Sequence, residues 1–439
     1  MKPLLLSLFA TFAMALSAQS IDTKLLDNYF DSLAYHDRSM GSLSIYIGQE
    51  EVYRRAIGFA DTMLTQAATP DHVYRVGSIT KTFTAVIIHK LVEAGQLSLD
   101  DRLSKFYPEL PNADDITIDQ LLRHRSGLSN YTDSEDFLEY IDQDQTPAQM
   151  AARIQQLEPD FTPGEAFKYS NSGYLILGYI AERVSSKPYL QLLRDYIIEP
   201  AGLVNTYVGG PIDPARREVA SFARMKDGWQ NASGWSMANV GAAGNLSSTA
   251  TDLNKFYRKL LRGELLDKEV VAEMTRMTDG YGHGLIQLPF NDQFGYGHTG
   301  GIEGFRSMSA HFPDKDITVT YLSNAEDVGV NDVMLAALTV ANGLPYAVPD
   351  FTPVPDLPEA EMQGYVGTYA SDDFPLDIEI FIENGKLLAQ ATGQGAFPLT
   401  PDGPDKFIFS QAGISMKFDA KAGTMQFKQG PIDMVMQRQ

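Results

Sequence analysis

Residues 76–95 read VGSITKTFTAVIIHKLVEAG, and this stretch decides the fold. From Ile79 to Ala94 the pattern predicts a helix, with Gly95 as its stop. Ile79, Phe83, Val86, Ile87, Ile88, Leu91 and Val92 cover most of its circumference, so the helix is expected to be buried. A lysine at position 81 is out of place on such a helix. Three residues separate Ser78 from Lys81, which puts both on one helical face, and Ser78 feels the positive end of the helix dipole. A desolvated lysine loses proton affinity and can take the proton that a serine must shed to attack a carbonyl. The plainer reading is a capping serine beside a surface lysine. No other S-x-x-K occurs in the chain. His89 and Lys90 are expected to cap the exposed side of this helix.

Two further segments agree with chemistry at Ser78. Tyr169-Ser170-Asn171, the one Y-x-N in the chain, follows Pro163-Gly164 and precedes a helix expected over 173–184. Loops at helix entries often carry binding groups. Near a lysine, the Tyr169 phenol could lose its proton and act as a base, while the Asn171 amide orients the lysine and a substrate carbonyl. The third segment, Gly295-Tyr296-Gly297-His298-Thr299-Gly300-Gly301, lies just before a strand beginning near Phe305. Glycines let a ligand approach the backbone, and a free N–H such as that of Gly301 can bind a developing oxyanion. Its plainer reading is a Gly-rich bend between strands.

Taken in order, VGSITK at 76–81, IDQLLRHRSGL at 118–128, FTPGEAFKYSNSGYLILG at 161–178 and YGHTGGIEGF at 296–305 resemble the class C beta-lactamase, D-alanyl-D-alanine carboxypeptidase and esterase superfamily. The resemblance runs from about Leu25 to about Asn342. It implies an α+β, beta-lactamase/transpeptidase-like domain and serine acyl transfer through a covalent acyl-enzyme. On that resemblance Ser78 is the nucleophile, Lys81 and Tyr169 share the proton traffic, and Asn171 positions. The backbone N–H groups of Ser78 and Gly301 would form the oxyanion hole, with His298 and Gly300 beside the substrate. His298 departs from the pattern, because many beta-lactamases and carboxypeptidases of this superfamily have lysine before Thr-Gly. A histidine is largely neutral at pH 7, which weakens the hold on a substrate carboxylate. That tilts the expectation toward a peptidase or esterase, acting on D-amino-acid peptides for instance. A true beta-lactamase or DD-carboxypeptidase is the alternative, and a non-catalytic binding or assembly protein on this fold is the alternative of another class.

The rest of the chain fits an exported enzyme. Residues 1–18 carry Lys2, an apolar run from Leu4 to Leu16 and small residues after it, the make-up of a cleavable signal peptide. The expected protein is therefore secreted or periplasmic, with no membrane span once the signal is removed. There is no cysteine among the 439 residues, which excludes disulfides, a thiolate nucleophile and Cys-ligated zinc. A net charge of −21 argues against nucleic acid as a partner. No H-E-x-x-H, P-loop or G-x-S-x-G pattern occurs, and the scattered histidines point to structural roles for His124 and His283. Neither metal nor cofactor is expected, and the expected partner is a small-molecule or peptide substrate.

Strands are expected over 43–47 and 51–56 around Gly48, and over 305–312 and 317–322 around Pro313-Asp314, with a third helix over 250–261. From Leu344 to Glu359 five prolines in sixteen residues forbid regular structure, so a linker is placed at 344–360. It separates a hydrolase domain at 19–343 from a small domain at 361–439. In the latter, Ile378, Ile380 and Ile382 alternate up to the hairpin pair Asn384-Gly385. Phe407/Phe409, Ile414/Met416/Phe418 and Met425/Phe427 keep the same two-residue period. QGYVGTY at 363–369 resembles the start of the lipocalin-like barrel appended to such hydrolases.

Overall fold

The computed structural model describes residues 21–439 except 226, 233, 352–356, 372–373, 394, 410–411 and 430–431. The signal expected at 1–18 lies outside the described residues. Among the described residues, no helix is long and apolar enough to cross a membrane.

Segments far apart in the chain meet in the middle of one sheet. Six antiparallel strands stand in the order Glu50–Ile57, Ser39–Ile47, Ile317–Glu326, Phe305–Phe312, Gln293–Ile302, Ile286–Phe290. Ser39–Ile47 from the start of the chain pairs with Ile317–Glu326 from beyond residue 300. Helices Thr23–Tyr35 and Val330–Ala341 share one apolar core with this sheet. The helical residues between the two strand groups form a second, larger core around Thr80–Glu93. This is the α+β, beta-lactamase/transpeptidase-like arrangement.

The helix that decides the fold is enclosed on nearly all sides. Its α-helical part is Thr80–Glu93, preceded by a tight 3₁₀ turn at Gly77–Ile79 that holds Ser78. Gly95 has φ +67, and the N–H groups of Gly95 and Gln96 reach back to Val92 O and Leu91 O, so glycine ends the helix as the pattern requires. Ile79, Phe83, Val86, Ile87, Ile88 and Leu91 are wholly buried. Each such side chain contributes roughly 1.5–3 kcal/mol of burial. Phe83 stacks on Phe256 with ring centroids 3.7 Å apart. Three threonines on this buried helix are each satisfied. Thr82 donates to Gly284 O at 2.6 Å, Thr84 donates to Ala242 O at 2.6 Å, and Thr80 Oγ1 accepts from the Leu246 N–H.

His89 does not cap an exposed face. It is buried, and its Nε2 lies 2.9 Å from His283 Nδ1, whose other nitrogen donates to Asp119 Oδ1 at 2.9 Å. Burial acts to raise the Asp119 carboxyl, but hydrogen bonds from His283 and Arg123 override it and hold the group near 2. Burial lowers His89 to about 3 and pushes His283 down as well.

The glycine-rich stretch is itself a strand, Gln293–Ile302, not a bend between strands. Close packing is what demands the glycines. A β-carbon at Gly297 would lie 1.9 Å from Ser309 O, and one at Gly300 would lie 2.1 Å from Val76 O. Helix 250–261 falls where the pattern puts it, and the helix expected over 173–184 extends to Asn171–Ser185.

After residue 351 the chain builds a second antiparallel sheet. Its first strand, Gly367–Ser371, pairs with its last, Ile432–Arg438. The two edge strands of the nine, Phe397–Pro398 and Thr400–Pro401, are separated by Leu399 alone. Edges that close together in sequence force the sheet to curl, so the meander is a nearly closed barrel. Asn384 and Gly385 both have positive φ, as a tight hairpin requires. The interior is filled by Tyr369, Ile380, Phe407, Met416, Met425 and Phe427, all buried. Between barrel residues Thr400–Gly403 and the first core, where Tyr29, Tyr346 and Phe351 lie, a cavity of ≈ 490 Å³ remains.

Six of the seven histidines are buried and have depressed proton affinity, chiefly through desolvation: His72, His89, His124, His283, His298 and His311. Below the ordinary value near 6.5 the unfolded chain binds protons that the native state refuses until about 3 to 4 at His89, His298 and His311. Stability is therefore full above pH 6.5 and falls as pH drops through this window. Denaturant titration is expected to show a loss of at least about 2 kcal/mol between pH 7.5 and pH 5, the value for one histidine kept neutral. Equal stability at the two pH values would contradict this assignment.

Candidate active site

Lys81 is the centre of the site. Its side chain is wholly buried, and desolvation pushes its proton affinity well below the ordinary lysine range. The amine Nζ has three oxygen neighbours: Ser78 Oγ at 3.0 Å, Asn171 Oδ1 at 2.7 Å and Ala243 O at 2.8 Å. A neutral amine has two hydrogens and one lone pair. With the hydrogens on Asn171 and Ala243, which can only accept there, the lone pair faces the Ser78 hydroxyl. The same three contacts saturate the amine when it is protonated, so both protonation states fit one geometry.

Each neighbour comes from a different part of the chain. Asn171 is the first residue of its helix, and its backbone N–H donates to Asn130 Oδ1 at 2.9 Å. The Asn171 Nδ2 donates to Thr132 Oγ1, which also accepts from Asn130 Nδ2 at 2.7 Å. These bonds fix which way the Asn171 amide points and leave one Nδ2 hydrogen free. The Ala243 carbonyl is presented by helix Met237–Gly244, which kinks at Gly241, φ +42. Asn130, Thr132 and Ala243 carry no motif of their own, and no sequence reading singled them out.

Tyr169 lies over Lys81, with Nζ 4.9 Å from the ring centroid. Desolvation pushes this phenol above its ordinary range, with the nearby Ser78 hydroxyl working weakly the other way. That is opposite to the tyrosinate expectation, so Tyr169 is a protonated phenol that can pass a proton on. His124 supports the turn from below. Its Nδ1 accepts the Ser170 N–H at 3.1 Å, and its ring lies 4.2 Å from that of Tyr169.

Gly300 and Gly301 stand beside the nucleophile turn. A β-carbon at Gly300 would come within 3.1 Å of the Ser78 N, and one at Gly77 within 2.9 Å of the Gly301 N. Gly300 therefore serves close approach, and the Gly301 backbone lies against the turn that holds Ser78, so the N–H groups of Ser78 and Gly301 are candidates for one oxyanion hole.

His298 is buried and neutral. Its Nδ1 donates to Thr299 O at 2.5 Å, which leaves Nε2 to accept from the Tyr281 hydroxyl at 2.9 Å. Burial, followed by the Lys81 charge, lowers His298 to about 3. Tyr281, absent from the sequence expectations, thus removes the last free nitrogen that could have faced an anion. Ser78 opens onto two recesses. One of ≈ 460 Å³ is lined by Phe167, Tyr169, Tyr281, Ile286, His298 and Asp279, the last paired with Arg125. The other, ≈ 200 Å³, is lined by Tyr131, Thr132, Asn171, Trp235, Val240 and Ile302. Among the described residues, neither is lined by a Lys or Arg side chain.

The one group of potential metal ligands among the described residues is Asp119, Glu273 and His283. The Arg123 guanidinium already bridges Asp119 and Glu273, at 3.0 and 2.5 Å, and none of the three lines the Ser78 recesses.

Comparison with known proteins agrees with this geometry. Penicillin-binding protein 4* of Bacillus subtilis (strain 168) is 25% identical over 429 residues, 90% of this chain and 93% of that one. The teichoic acid D-alanine hydrolase of Staphylococcus aureus (strain NCTC 8325 / PS 47) is 24% identical over 307 residues, 68% and 73% of the two chains. Among solved structures, D-amino acid amidase from Ochrobactrum anthropi SV3, complexed with L-phenylalanine amide, superposes with a TM-score of 0.64 at 26% identity. It covers 73% of this chain and 99% of its own. The Beta-lactamase family profile matches residues 26–341, most of the chain and all of the Ser78 site, and the protein belongs to that family of serine hydrolases.

Proposed function

We propose that this protein is a secreted hydrolase that cleaves an amide or ester bond next to a D-amino acid through an acyl-enzyme at Ser78. The observation that carries the reading is the buried Lys81 amine, 3.0 Å from Ser78 Oγ and short of proton affinity. Ser78 Oγ attacks the substrate carbonyl carbon while its proton passes to Lys81 Nζ. The carbonyl oxygen takes the negative charge and faces the N–H groups of Ser78 and Gly301. The Tyr169 hydroxyl then hands a proton to the leaving nitrogen or oxygen and recovers one from Lys81. The carbon to leaving-group bond breaks as that proton arrives. Water repeats the attack on the ester and gives its proton to Lys81, which returns it to Oγ as the carbon to Oγ bond breaks, releasing the acid and restoring the Ser78 hydroxyl and the neutral amine.

Substrate choice rests on charge. His298 is neutral and occupied by Tyr281, and among the described residues no cationic side chain lines either recess. A substrate whose carboxylate sits beside the scissile bond would be desolvated there without a partner. Amides and esters of D-amino acids carry no such charge, and the relatives that act on D-amino acid amides and on D-alanine in teichoic acid support this class. Export is supported by the signal-like residues 1–18.

Intact-mass analysis tests the nucleophile. A fluorophosphonate is expected to add one label to the wild type and none to Ser78→Ala, whose kcat should fall by about 10⁴-fold or more. Full hydrolysis by Ser78→Ala would overturn the reading, as would a stable penicillin adduct without turnover of D-amino acid amides, which favours a penicillin-binding carboxypeptidase.

Lys81→Arg places a permanently protonated group at the base position, and kcat is expected to fall about 10²- to 10⁴-fold. In the wild type kcat should rise with pH as Lys81 loses its proton, along a limb that lies well below the ordinary lysine range. No limb near 6.5 is expected from His298, since it is neutral down to about 3.

His298→Lys restores a cation beside Gly300. Its acylation rate by penicillin is expected to rise about tenfold, the value of one charge-assisted hydrogen bond, with no gain on D-amino acid amides. An unchanged penicillin rate would show that charge at this position does not set the preference.

A further inference from the structure

The hairpin that follows Gly301 carries a buried charge pair that the acyl-transfer reading leaves unused. Glu303 sits at the hairpin tip with φ 53, a left-handed backbone in which a residue with a β-carbon is strained. Its side chain and that of Arg75 are each 3% exposed. Arg75 Nη1 donates to Glu303 Oε2 at 2.7 Å, and Nη2 donates to Gly210 O at 2.7 Å. The other carboxylate oxygen accepts the backbone N–H of Trp235. Burial acts to raise the Glu303 carboxyl, against the Arg75 charge.

The two partners lie 228 residues apart in the chain, yet each adjoins one arm of the same feature. Arg75 comes three residues before Ser78. Glu303 comes two residues after Gly301. Between them the two backbones touch, because only glycines at 77 and 300 permit the approach, and Ser307 Oγ donates to Val76 O at 2.8 Å from the neighbouring strand. Trp235, the second contact of the carboxylate, is a wall of the smaller recess.

We propose that Arg75 and Glu303 are positioning residues that clasp the oxyanion hole, fixing the Ser78 N–H and the Gly301 N–H at one separation and tying the Trp235 wall to the same point. This rests on the acyl-enzyme reading of Ser78. A buried ion pair is a poor way to add stability, because desolvating two charges offsets most of their attraction. What it does well is specify one geometry between parts that sequence does not join. Two backbone donors that must meet a developing charge within a few tenths of an ångström require such a constraint.

The test uses the full chain and two variants, Glu303→Gln and the double substitution Arg75→Met with Glu303→Met. An apolar pair of similar volume is often tolerated where a lone buried charge is not, so the double variant separates misalignment from unfolding. Active sites are counted with a fluorophosphonate, and kcat per counted site and KM are measured on the p-nitroanilide of D-alanine. Affinity for phenylboronic acid, which forms a tetrahedral adduct on a serine, reports the oxyanion hole directly.

With the clasp broken, kcat per site and boronate affinity are expected to fall together by about 10- to 100-fold while KM changes less than about threefold. Should the double variant fail to fold, Glu303→Gln decides alone. Unchanged kcat per site and boronate affinity, with or without fewer countable sites, would overturn the clasp and leave the pair as fold support only. A wild type that no fluorophosphonate labels would instead overturn the acyl-enzyme reading, and the clasp with it.

Discussion

Much of this structure is arranged around one buried amine. Lys81 Nζ has no water-facing surface, so its three contacts must all be supplied by the protein. Ser78 comes from the same helix entry, but Asn171 and Ala243 are 90 and 162 residues away in the chain. The helix Asn171–Ser185, the kinked helix Met237–Gly244 and the buried helix Thr80–Glu93 must therefore pack on one another with little freedom. Their shared core supplies the apolar burial, and its dryness is what lowers the proton affinity of the lysine. The packing that stabilises the domain and the dryness that lowers the lysine's proton affinity are the same physical fact.

Lowered proton affinity extends from the amine to the histidines of the cleft. His298 is held in one tautomer by Thr299 O and has its second nitrogen taken by Tyr281. His124 is neutral beneath Tyr169, and Tyr169 keeps its proton. The charge that this site would handle is thus the transient one formed during reaction, met by backbone dipoles whose placement depends on glycines at 77 and 300. Fixed charges are kept at the margins, as Asp279 with Arg125 and Glu303 with Arg75.

The barrel stands apart from this chemistry. Among the described residues, none beyond 302 lines either recess at Ser78. Its interior is packed with side chains, in contrast to barrels that hold a ligand. Its closure follows from a meander whose first and last strands pair and whose two edges are a single residue apart. Aromatic residues Tyr29, Tyr346 and Phe351 face it across the cavity on the far side of the first core.

The sequence by itself determined the buried helix, its stop at Gly95, the strand pairs around Gly48 and Pro313, the two-residue alternation of the barrel and the candidate site residues. These rest on local periodicity, turn chemistry and motif spacing, which neighbours along the chain express directly. It misplaced His89 on an exposed face, because a histidine at a helical position looks the same whether it meets water or His283. It left open whether 295–301 is a ligand-binding segment or a plain bend ahead of the strand at 305, since glycines demanded by a strand packed against Val76 and Ser309 look like glycines demanded by a turn. Only the tertiary structure decided that Tyr169 keeps its proton, that Tyr281 occupies His298, that Asn130, Thr132 and Ala243 orient the lysine, and that Arg75 meets Glu303. Each of these depends on burial or on contact between distant segments, and neither quantity exists until the chain has folded.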